Sequence, residues 1–548
     1  MPALPVPSAS TFRCLVLAVV ALALCAPPAV AQYGFSFGRN KVQYEDFDWH
    51  VIETEHFDVY YYPEMEELAE YGAAFAEEVY DELEHRFNFS LVRRVPLMFY
   101  ATNLHFKQTN ITPGFIPDNV GGFFEFLKGR VVVPSNGDLH RFRRVIRHEL
   151  VHVFTFSKVK RAYADYRRPA ESFMPLWFTE GIAEYWSGGA DHNHEMIMRD
   201  AVASNFLVPL ADMARISGSY VMYKQGEAIC RWIGETYGDE KLLLIMENVW
   251  RDPDFRKVLE HVLQEDFDTL STRWDRWVRA QYIPDITGSD VTSLAARPVQ
   301  ARGFSMQPTV WRAPDGQRHV VYAANKDGYS NLYRVPVDSA MVPQADPTIV
   351  IRGERSALYE AFHLFDSRHD VSVDGHLAFV TKSGGADVVH VYDLMADRRL
   401  HTFAFDDLVA IYSPNWSPDG QRFAFTGIAK SGFADLYVYD LVEDRLRRLT
   451  DDQYDDRDPA WSPDGTRLVF SSDRTAFGHE GAYNLFTYDV ATDAIAYLTY
   501  GPHLDLSPRW TPDGTRIVYA STHRDPDTGR FTAQDLWLVD ADAPAALL

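Results

Sequence analysis

The stretch RHELVHVF at residues 147–154 contains two histidines four positions apart, and a glutamate directly follows the first. On an α-helix, residues four apart share a face, so His148 and His152 would present both imidazoles to one side. Asp138 is a candidate N-cap ahead of this segment. Apolar residues recur through it at helical spacing, at Val145, Ile146, Leu150 and Val153. The sequence therefore predicts that the helix forms and is amphipathic.

Two imidazoles on one helical face are a frequent ligand pair for Zn²⁺. Glu149 would then lie beside the metal, where a carboxylate can accept a proton from metal-bound water. The alternative is a pair of surface histidines on an amphipathic helix. The motif favours a metallohydrolase in which His148 and His152 bind the metal and Glu149 is the catalytic base.

A second stretch, LWFTEGIAEYW at residues 176–186, begins about 28 residues after the first histidine. A catalytic zinc takes three protein ligands, and two histidines with one carboxylate are a known set, so Glu180 is the predicted third ligand. Glu184 lies one turn later and is placed to accept the free N–H of a liganding histidine. Gly181 would allow close approach of a neighbouring helix. The alternative is a pair of solvent-facing acids.

Together the two stretches resemble the gluzincin superfamily, the clan of thermolysin and the zinc aminopeptidases, and most closely the peptidase MA-like domains. The resemblance implies a thermolysin-like α+β metallopeptidase domain with His148, His152 and Glu180 as Zn²⁺ ligands and Glu149 as general base. The aminopeptidase branch carries a Gly-x-Met-Glu-Asn segment for the substrate amine. The comparable place here reads GGFFEF, residues 121–126, and departs from that pattern.

Composition limits the class of protein. The chain has 548 residues, 46% of them hydrophobic and 14% aromatic, which is enough for two to four packed domains. The formal net charge of −24 argues against a nucleic-acid partner, because such partners require a basic face.

Residues 1–31 have the pattern of a cleaved signal peptide. Arg13 precedes an apolar run from Leu15 to Leu24, and a small-residue Ala-Val-Ala site ends at Ala31. An uncleaved anchor and a lipoprotein are the alternatives, but the run is short for a membrane span and Leu24 does not suit a lipoprotein site. We expect export by the Sec pathway to the periplasm or outside the cell, possible envelope association, and no transmembrane span after cleavage. Only Cys230 would then remain, as a buried thiol without a disulfide partner.

The segment before the motif predicts a mixed sheet. Residues 49–62 suggest paired strands, a helix follows to Phe87, and short strands are expected at 95–100 and 129–134. By resemblance, the strand edge that binds the substrate backbone is either 130–134 or 121–126, and an ordinary hairpin is the alternative. His56 is expected to have a structural role.

Residues 196–283 read as helical throughout. Zinc peptidases often place a Tyr or His donor where the oxyanion develops, and Tyr220 and Tyr223 are the candidates for this catalytic role. His192 and His194 are expected in a solvated polar loop, with an accessory metal site as the alternative.

Past Pro284 a repeat replaces the helical pattern. The copies are Trp416–Gly420, Trp461–Gly465 and Trp510–Gly514, with weaker ones at Trp311–Gly316 and Val371–Gly375. Each Pro-Asp-Gly predicts a turn between strands, and four strands per repeat of this length indicate propeller blades. Turn formation accounts for Asp419, Asp464 and Asp513. These blades resemble the TolB-like, tricorn-type propeller.

We count five blades, the last without its outer strand, and a strand at 291–303 is a candidate to close the ring; a sixth, degenerate blade is the alternative. The predicted organisation is thus a signal peptide (1–31), a peptidase MA-like domain (32–285) with a mixed sheet and a helical subdomain, and an all-β propeller (286–548). The expected function is zinc-dependent peptide-bond hydrolysis on a peptide or protein substrate. The propeller would bind a protein partner or gate the cleft. The alternative is a cell-envelope scaffold whose propeller mediates protein interactions and whose peptidase site is inactive.

Overall fold

A computed structural model describes residues 42–112, 116, 120–169, 174–287, 296–300, 304–326 and 328–542. The expected signal peptide, with Cys14 and Cys25, lies outside the described residues. So do parts of the expected closing strand at 291–303, and its described part, 296–300, contains no strand.

The chain begins with a five-stranded mixed sheet in the order β1-β2-β3-β5-β4. Its strands are β1 (His50–Glu53), β2 (Phe57–Tyr61), β3 (Val95–Tyr100), β4 (Phe123–Glu125) and β5 (Arg130–Pro134). β5 pairs in parallel with β3 and antiparallel with β4, so it lies inside the sheet and β4 forms the edge. Of the two predicted edges, only 121–126 contains an edge strand, and 130–134 is wrong because β5 lies between two neighbours. Binding of a substrate backbone at β4 stays a prediction.

Nine α-helices are described beside this sheet. They are α1 (Glu66–Phe87), α2 (Asn103–Phe106), α3 (Leu139–Asp165), α4 (Leu176–Trp186), α5 (His192–Ala203), α6 (Tyr220–Tyr237), α7 (Glu240–Asn248), α8 (Phe255–Leu263) and α9 (Phe267–Thr287). Residues 196–283 are thus mainly helical as predicted, but turns and a 3₁₀ segment at Leu210–Ile216 divide them. The predicted N-cap of α3 is confirmed, because the Asp138 side chain accepts from the backbone N–H of Arg141 at 2.8 Å.

Helices α4 and α6 cross at two glycines. A Cβ added to Gly181 would lie 2.4 Å from the backbone C and O of Gly226, and one added to Gly226 would lie 2.3 Å from the carbonyl oxygen of Trp177. The predicted close approach at Gly181 is confirmed. Because Gly181 directly follows Glu180, this crossing sets the position of the Glu180 backbone.

Two other predictions for this region are confirmed. The Cys230 thiol is fully buried, and burial raises its pKa well above the ordinary value. His56 is structural, since its Nδ1 lies 2.6 Å from Glu77 Oε2 and its ring stacks on Tyr80.

The following part of the chain forms a propeller of five sheets. The blades comprise β6 (Phe304–Arg312) to β9 (Thr348–Arg352), β10 (Asp370–Val371) to β13 (Arg398–Phe403), β14 (Leu408–Trp416) to β17 (Arg445–Arg448), β18 (Asp456–Trp461) to β21 (Ile495–Tyr497), and β22 (Leu504–Trp510) to β24 (Asp535–Asp540). The strands between these limits are β7 (Arg318–Lys326), β8 (Tyr329–Val337), β11 (His376–Ser383), β12 (Ala386–Asp393), β15 (Arg422–Ala429), β16 (Ala434–Asp440), β19 (Arg467–Ser472), β20 (Asn484–Asp489) and β23 (Arg516–Thr522). Four blades have four strands and the last has three, which confirms the five-blade prediction.

The Pro-Asp-Gly aspartates close turns, as predicted. Asp464 Oδ1 accepts from the Ser462 hydroxyl at 2.6 Å and from the Thr466 backbone N–H at 3.0 Å. These bonds lower the pKa of Asp464 to about 2. Asp419 and Asp513 make the equivalent bonds. Their carboxylates are engaged locally, at the opposite end of the blades from the helical region.

Loops of blades three to five contact the helical region. The Ser135 hydroxyl donates to the carbonyl of Gly432 at 3.0 Å, and His140 Nδ1 lies 3.1 Å from the carbonyl of His479. Arg457 lies 3.7 Å from Asp138, the N-cap of α3. The propeller thus contacts the start of α3 directly. None of the described helices is both long and apolar enough to cross a membrane.

We expect Gly181→Ala to lower the free energy of unfolding by about 2 kcal/mol. Overpacking costs roughly 1–3 kcal/mol or more, and the higher helix propensity of Ala offsets about 1 kcal/mol. Urea unfolding followed by helical circular dichroism would measure the loss. Gly121→Ala is the matched control, because its new methyl meets only Val145 Cγ2, at 3.5 Å. Equal stability of the two variants would contradict the close crossing.

Candidate metal centre

Three side chains converge between α3 and α4. His148 and His152 lie one turn apart on the face of α3 that lines a cleft, while Ile146, Leu150 and Val153 bury the opposite face. Glu180 projects from α4 toward them. Nε2 of His152 lies 3.2 Å from Nε2 of His148 and 3.2 Å from Glu180 Oε2, and His148 Nε2 lies 3.4 Å from that oxygen.

These separations fit a metal. Tetrahedral zinc with ligands at about 2.0–2.1 Å requires ligand atoms about 3.3 Å apart. In the described part of the chain, this is the one group of three or more His, Cys, Asp or Glu residues whose ligand atoms lie within 4.8 Å of one another. Two imidazoles and one carboxylate also match the donor set of a catalytic zinc.

The electrostatics favour positive charge at this point. Burial acts to lower the pKa of His152, but the Glu180 carboxylate raises it to about 9. Burial acts to raise the pKa of Glu180, and the two imidazoles hold it far below the ordinary value. The Glu180 carboxylate thus favours a positive charge at the imidazoles.

Glu149 occupies the position that the motif predicted for the base. Its side chain is buried, and Oε2 has no hydrogen-bond partner among the described residues. Burial raises its pKa, while the nearby His148 and His152 act in the opposite direction. A Cβ added to Gly122 would lie 3.3 Å from Glu149 Oε1, so the edge-strand segment runs beside this carboxylate. A buried, unpaired carboxylate oxygen next to three ligand atoms is a free proton acceptor.

Glu184 has partners that the sequence did not predict. Its Oε2 accepts from Lys224 Nζ at 3.0 Å and lies 3.4 Å from Arg144, which also pairs with Asp191 at 3.0 Å. Burial acts to raise the pKa of Glu184, but Lys224, His148 and Arg144 lower it. The predicted bond from a histidine N–H stays a prediction, whereas the observed role is to compensate two buried cations.

The two candidate tyrosines differ in their surroundings, although both line the cleft. Burial raises the pKa of the Tyr223 hydroxyl, and the Glu180 and Glu149 carboxylates raise it further. Tyr220 is 45% exposed, and Lys224 Nζ lies 5.2 Å from its ring centroid. An oxyanion-donor role stays a prediction for both tyrosines.

The expected solvated loop at His192 and His194 is wrong. Both residues begin α5, and His194 is buried, with Nε2 3.2 Å from Glu227 Oε2 and 3.2 Å from an Arg231 nitrogen. Burial lowers the pKa of His194 well below the ordinary value. The ring belongs to a buried polar network, which the polar local sequence did not reveal.

A large cleft of about 2890 Å³ contains the candidate centre. One wall is formed by β4, α3, α4 and α6, and the facing wall belongs to the propeller. The propeller residues include Phe304, Asp366, Arg457, Leu504 and Phe531. The sequence predicts that the propeller binds a partner or gates the cleft, but it does not identify these lining residues, because no local pattern records a contact across more than a hundred residues.

Comparison with known proteins assigns two regions. Residues 99–280 match the family model of the Peptidase MA superfamily, and residues 369–525 match that of the TolB beta propeller domain. The chain therefore combines a Peptidase MA superfamily region with a TolB-type propeller. No curated protein matches it.

Solved structures that match part of this chain include the following three. A protein described as a TolB from Agrobacterium tumefaciens is 22% identical over 45% of this chain and 81% of its own, with a TM-score of 0.34. TolB from Acinetobacter baumannii is 17% identical over 41% of this chain and 67% of its own, with a TM-score of 0.28. A puromycin-hydrolysing peptidase of Mycobacterium tuberculosis is 16% identical over 42% of this chain and 36% of its own, with a TM-score of 0.31.

We expect Glu184→Leu to destabilise the helical region by about 3–5 kcal/mol, because it leaves Lys224 buried without its anionic partner. Denaturant unfolding followed by circular dichroism would measure this. The double variant Glu184→Leu, Lys224→Met should lose less than the single variant, since no unpaired charge remains. If the loss in the double variant equals the sum of the losses in Glu184→Leu and in Lys224→Met, the two residues are not coupled.

Proposed function

We propose that the protein is an exported zinc-dependent metallopeptidase of the gluzincin type. Residues 32–285 would form the peptidase domain, and residues 286–548 a propeller that bounds its cleft. The observation that carries this proposal is the set of ligand separations of 3.2–3.4 Å beside the buried, unpaired Glu149 carboxylate. The charge pattern of residues 1–31 supports export.

In this proposal His148, His152 and Glu180 hold the metal. A Zn²⁺ held by these residues would supply Lewis-acid chemistry, which activates a water and polarises the scissile carbonyl. Glu149 accepts the proton of the attacking water and delivers it to the leaving amine. Its burial supports this role, because a raised pKa makes the carboxylate a better proton acceptor at neutral pH.

Two further elements act on the substrate. The edge of β4 is available to an extended peptide, whose backbone would hydrogen-bond to it and lie along the cleft. The Tyr223 hydroxyl donates a hydrogen bond to the oxygen on which negative charge develops. The facing propeller wall would limit access of substrates to the cleft.

The scaffold alternative requires the peptidase site to be inactive. Nothing in the described geometry favours it, since all four residues of the proposed reaction are intact and converge. The scaffold alternative predicts that the protein hydrolyses no peptide, whether or not it binds zinc.

We expect Glu149→Gln to keep one zinc per chain and to lower peptide hydrolysis by roughly 10²–10⁴-fold, the usual contribution of a general base. Elemental analysis would measure zinc, and digestion of a mixed peptide library with mass spectrometry would measure cleavage. His148→Ala should lose the metal. Glu480→Gln is the matched control, because it neutralises an exposed carboxylate on the propeller wall of the same cleft. Zinc-loaded parent protein that cleaves no peptide would contradict the proposal and support the scaffold function.

We expect Tyr223→Phe to lower kcat by about 10²–10³-fold with little change in KM, because it removes a donor used mainly in the transition state. Tyr220→Phe makes the same chemical change in the same helix and should leave kcat within a few-fold of the parent value. Steady-state kinetics on one good library peptide would separate the two. Equal effects of the two changes would remove the special role of Tyr223.

A further inference from the structure

Three phenylalanine rings lie together on the cleft wall beside the candidate centre. Phe124 belongs to β4, Phe126 follows it, and Phe156 projects from α3. The ring centroid of Phe156 lies 5.8 Å from that of Phe124 and 6.1 Å from that of Phe126. We name these three rings the aromatic floor. Phe126 is 50% exposed, and all three phenylalanines line the cleft, so the floor presents apolar surface to it.

The aromatic floor is one helical turn from the metal ligands. Phe156 follows His152 by four residues on the same face of α3, a rise of about 6 Å along the helix axis. An extended peptide advances about 3.3 Å per residue. A substrate side chain within two residues of the scissile bond therefore reaches the floor.

The edge strand directs side chains toward the same place. A peptide that extends the sheet at β4 turns alternate side chains to one face of the sheet. Phe124 and Phe126 are two residues apart and both contact Phe156, so that face is the one above α3. A substrate side chain on this face packs against the rings.

The cleft lining contributed by α3 changes from basic to apolar along the helix. Before the ligands, α3 contributes Arg141 and Arg144 to the lining; after them it contributes Phe156 and Val159. Met174 and Leu176 continue the apolar part of the wall. On this side of the metal the wall suits an uncharged side chain.

We propose that the aromatic floor is a substrate subsite that binds a large apolar side chain within two residues of the scissile bond. This rests on the proposed peptidase function and specifies its substrate class. An acidic or basic side chain at that position would be desolvated against the rings without a partner, and is rejected.

The test begins with zinc-loaded protein and a peptide library whose cut sites are read by mass spectrometry. Phe, Tyr, Trp, Leu and Met should be enriched at one fixed position within two residues of the cut. For a peptide pair that differs only by Phe or Ala at that position, kcat/KM should differ by roughly 10–100-fold. Cut sites without positional enrichment would overturn the proposal.

Phe126→Ala should reduce that ratio several-fold and leave the zinc content unchanged. Its ring is half exposed, so this variant is expected to fold, and circular dichroism would check it. Phe206→Ala is the matched control, because Phe206 is 63% exposed and lies outside the cleft lining; it should keep the parent ratio. An unchanged ratio in folded Phe126→Ala would also overturn the subsite.

Peptide binding separates failure of the subsite from failure of the chemistry. Zinc-loaded Glu149→Gln should bind the fluorescently labelled Phe peptide more tightly than the Ala peptide, and Phe126→Ala in that background should remove the difference. If the parent hydrolyses nothing but this preference is present, the hydrolytic function fails and the subsite stands. If hydrolysis is observed and the binding preference is absent, the subsite fails and the peptidase function stands.

Discussion

The close crossing of α4 and α6 at Gly181 and Gly226 is the constraint on which the candidate centre depends. Backbone contacts at this crossing leave no room for a Cβ on either helix. Glu180 directly precedes Gly181, so this contact sets the position of the Glu180 carboxylate relative to α3. The histidine spacing is a property of one helix. The third ligand atom reaches 3.2–3.4 Å from both imidazoles only because two other helices meet backbone to backbone.

The charged side chains of Lys224 and Arg144, near the candidate centre, are paired with carboxylates, which offsets the cost of burying them. Lys224 pairs with Glu184, and Arg144 pairs with Glu184 and Asp191. A buried ion is costly unless it is paired, so these residues form a set whose members cannot be removed singly without penalty. Glu149 is not compensated in this way, because its buried Oε2 has no hydrogen-bond partner among the described residues. A buried, unpartnered carboxylate oxygen next to ligand atoms is expected where chemistry, rather than stability, determines the residue.

The propeller acts on the cleft as well as on the start of α3. Its loops contact the N-cap region of the helix that carries both histidines, through Asp138, His140 and Ser135. A second set of contacts joins Arg530 of blade five to Glu195 and Asp285 of the helical region. The two parts thus share an interface at both ends of the cleft, and the propeller forms its second wall.

Local sequence determined a large part of this protein. The helical period placed His148, Glu149 and His152 with respect to one another, and the Pro-Asp-Gly turns with their strand patterns gave five blades. These features depend on contacts within a few residues, for which spacing and side-chain type are sufficient information. The sequence also predicted the close helix contact at Gly181, because glycine has no side chain to keep a neighbouring helix at a distance.

Only the tertiary structure decided which strand is the sheet edge, what Glu184 binds, that His194 is buried, and that Tyr223 rather than Tyr220 is electrostatically linked to the centre. The same holds for the propeller wall and for the aromatic floor, where Phe124 and Phe126 meet Phe156 from another element. Each of these depends on residues that are distant in the chain and brought together by packing. A sequence pattern reports the period and chemistry of one segment, whereas burial and charge compensation depend on the neighbours that the fold provides.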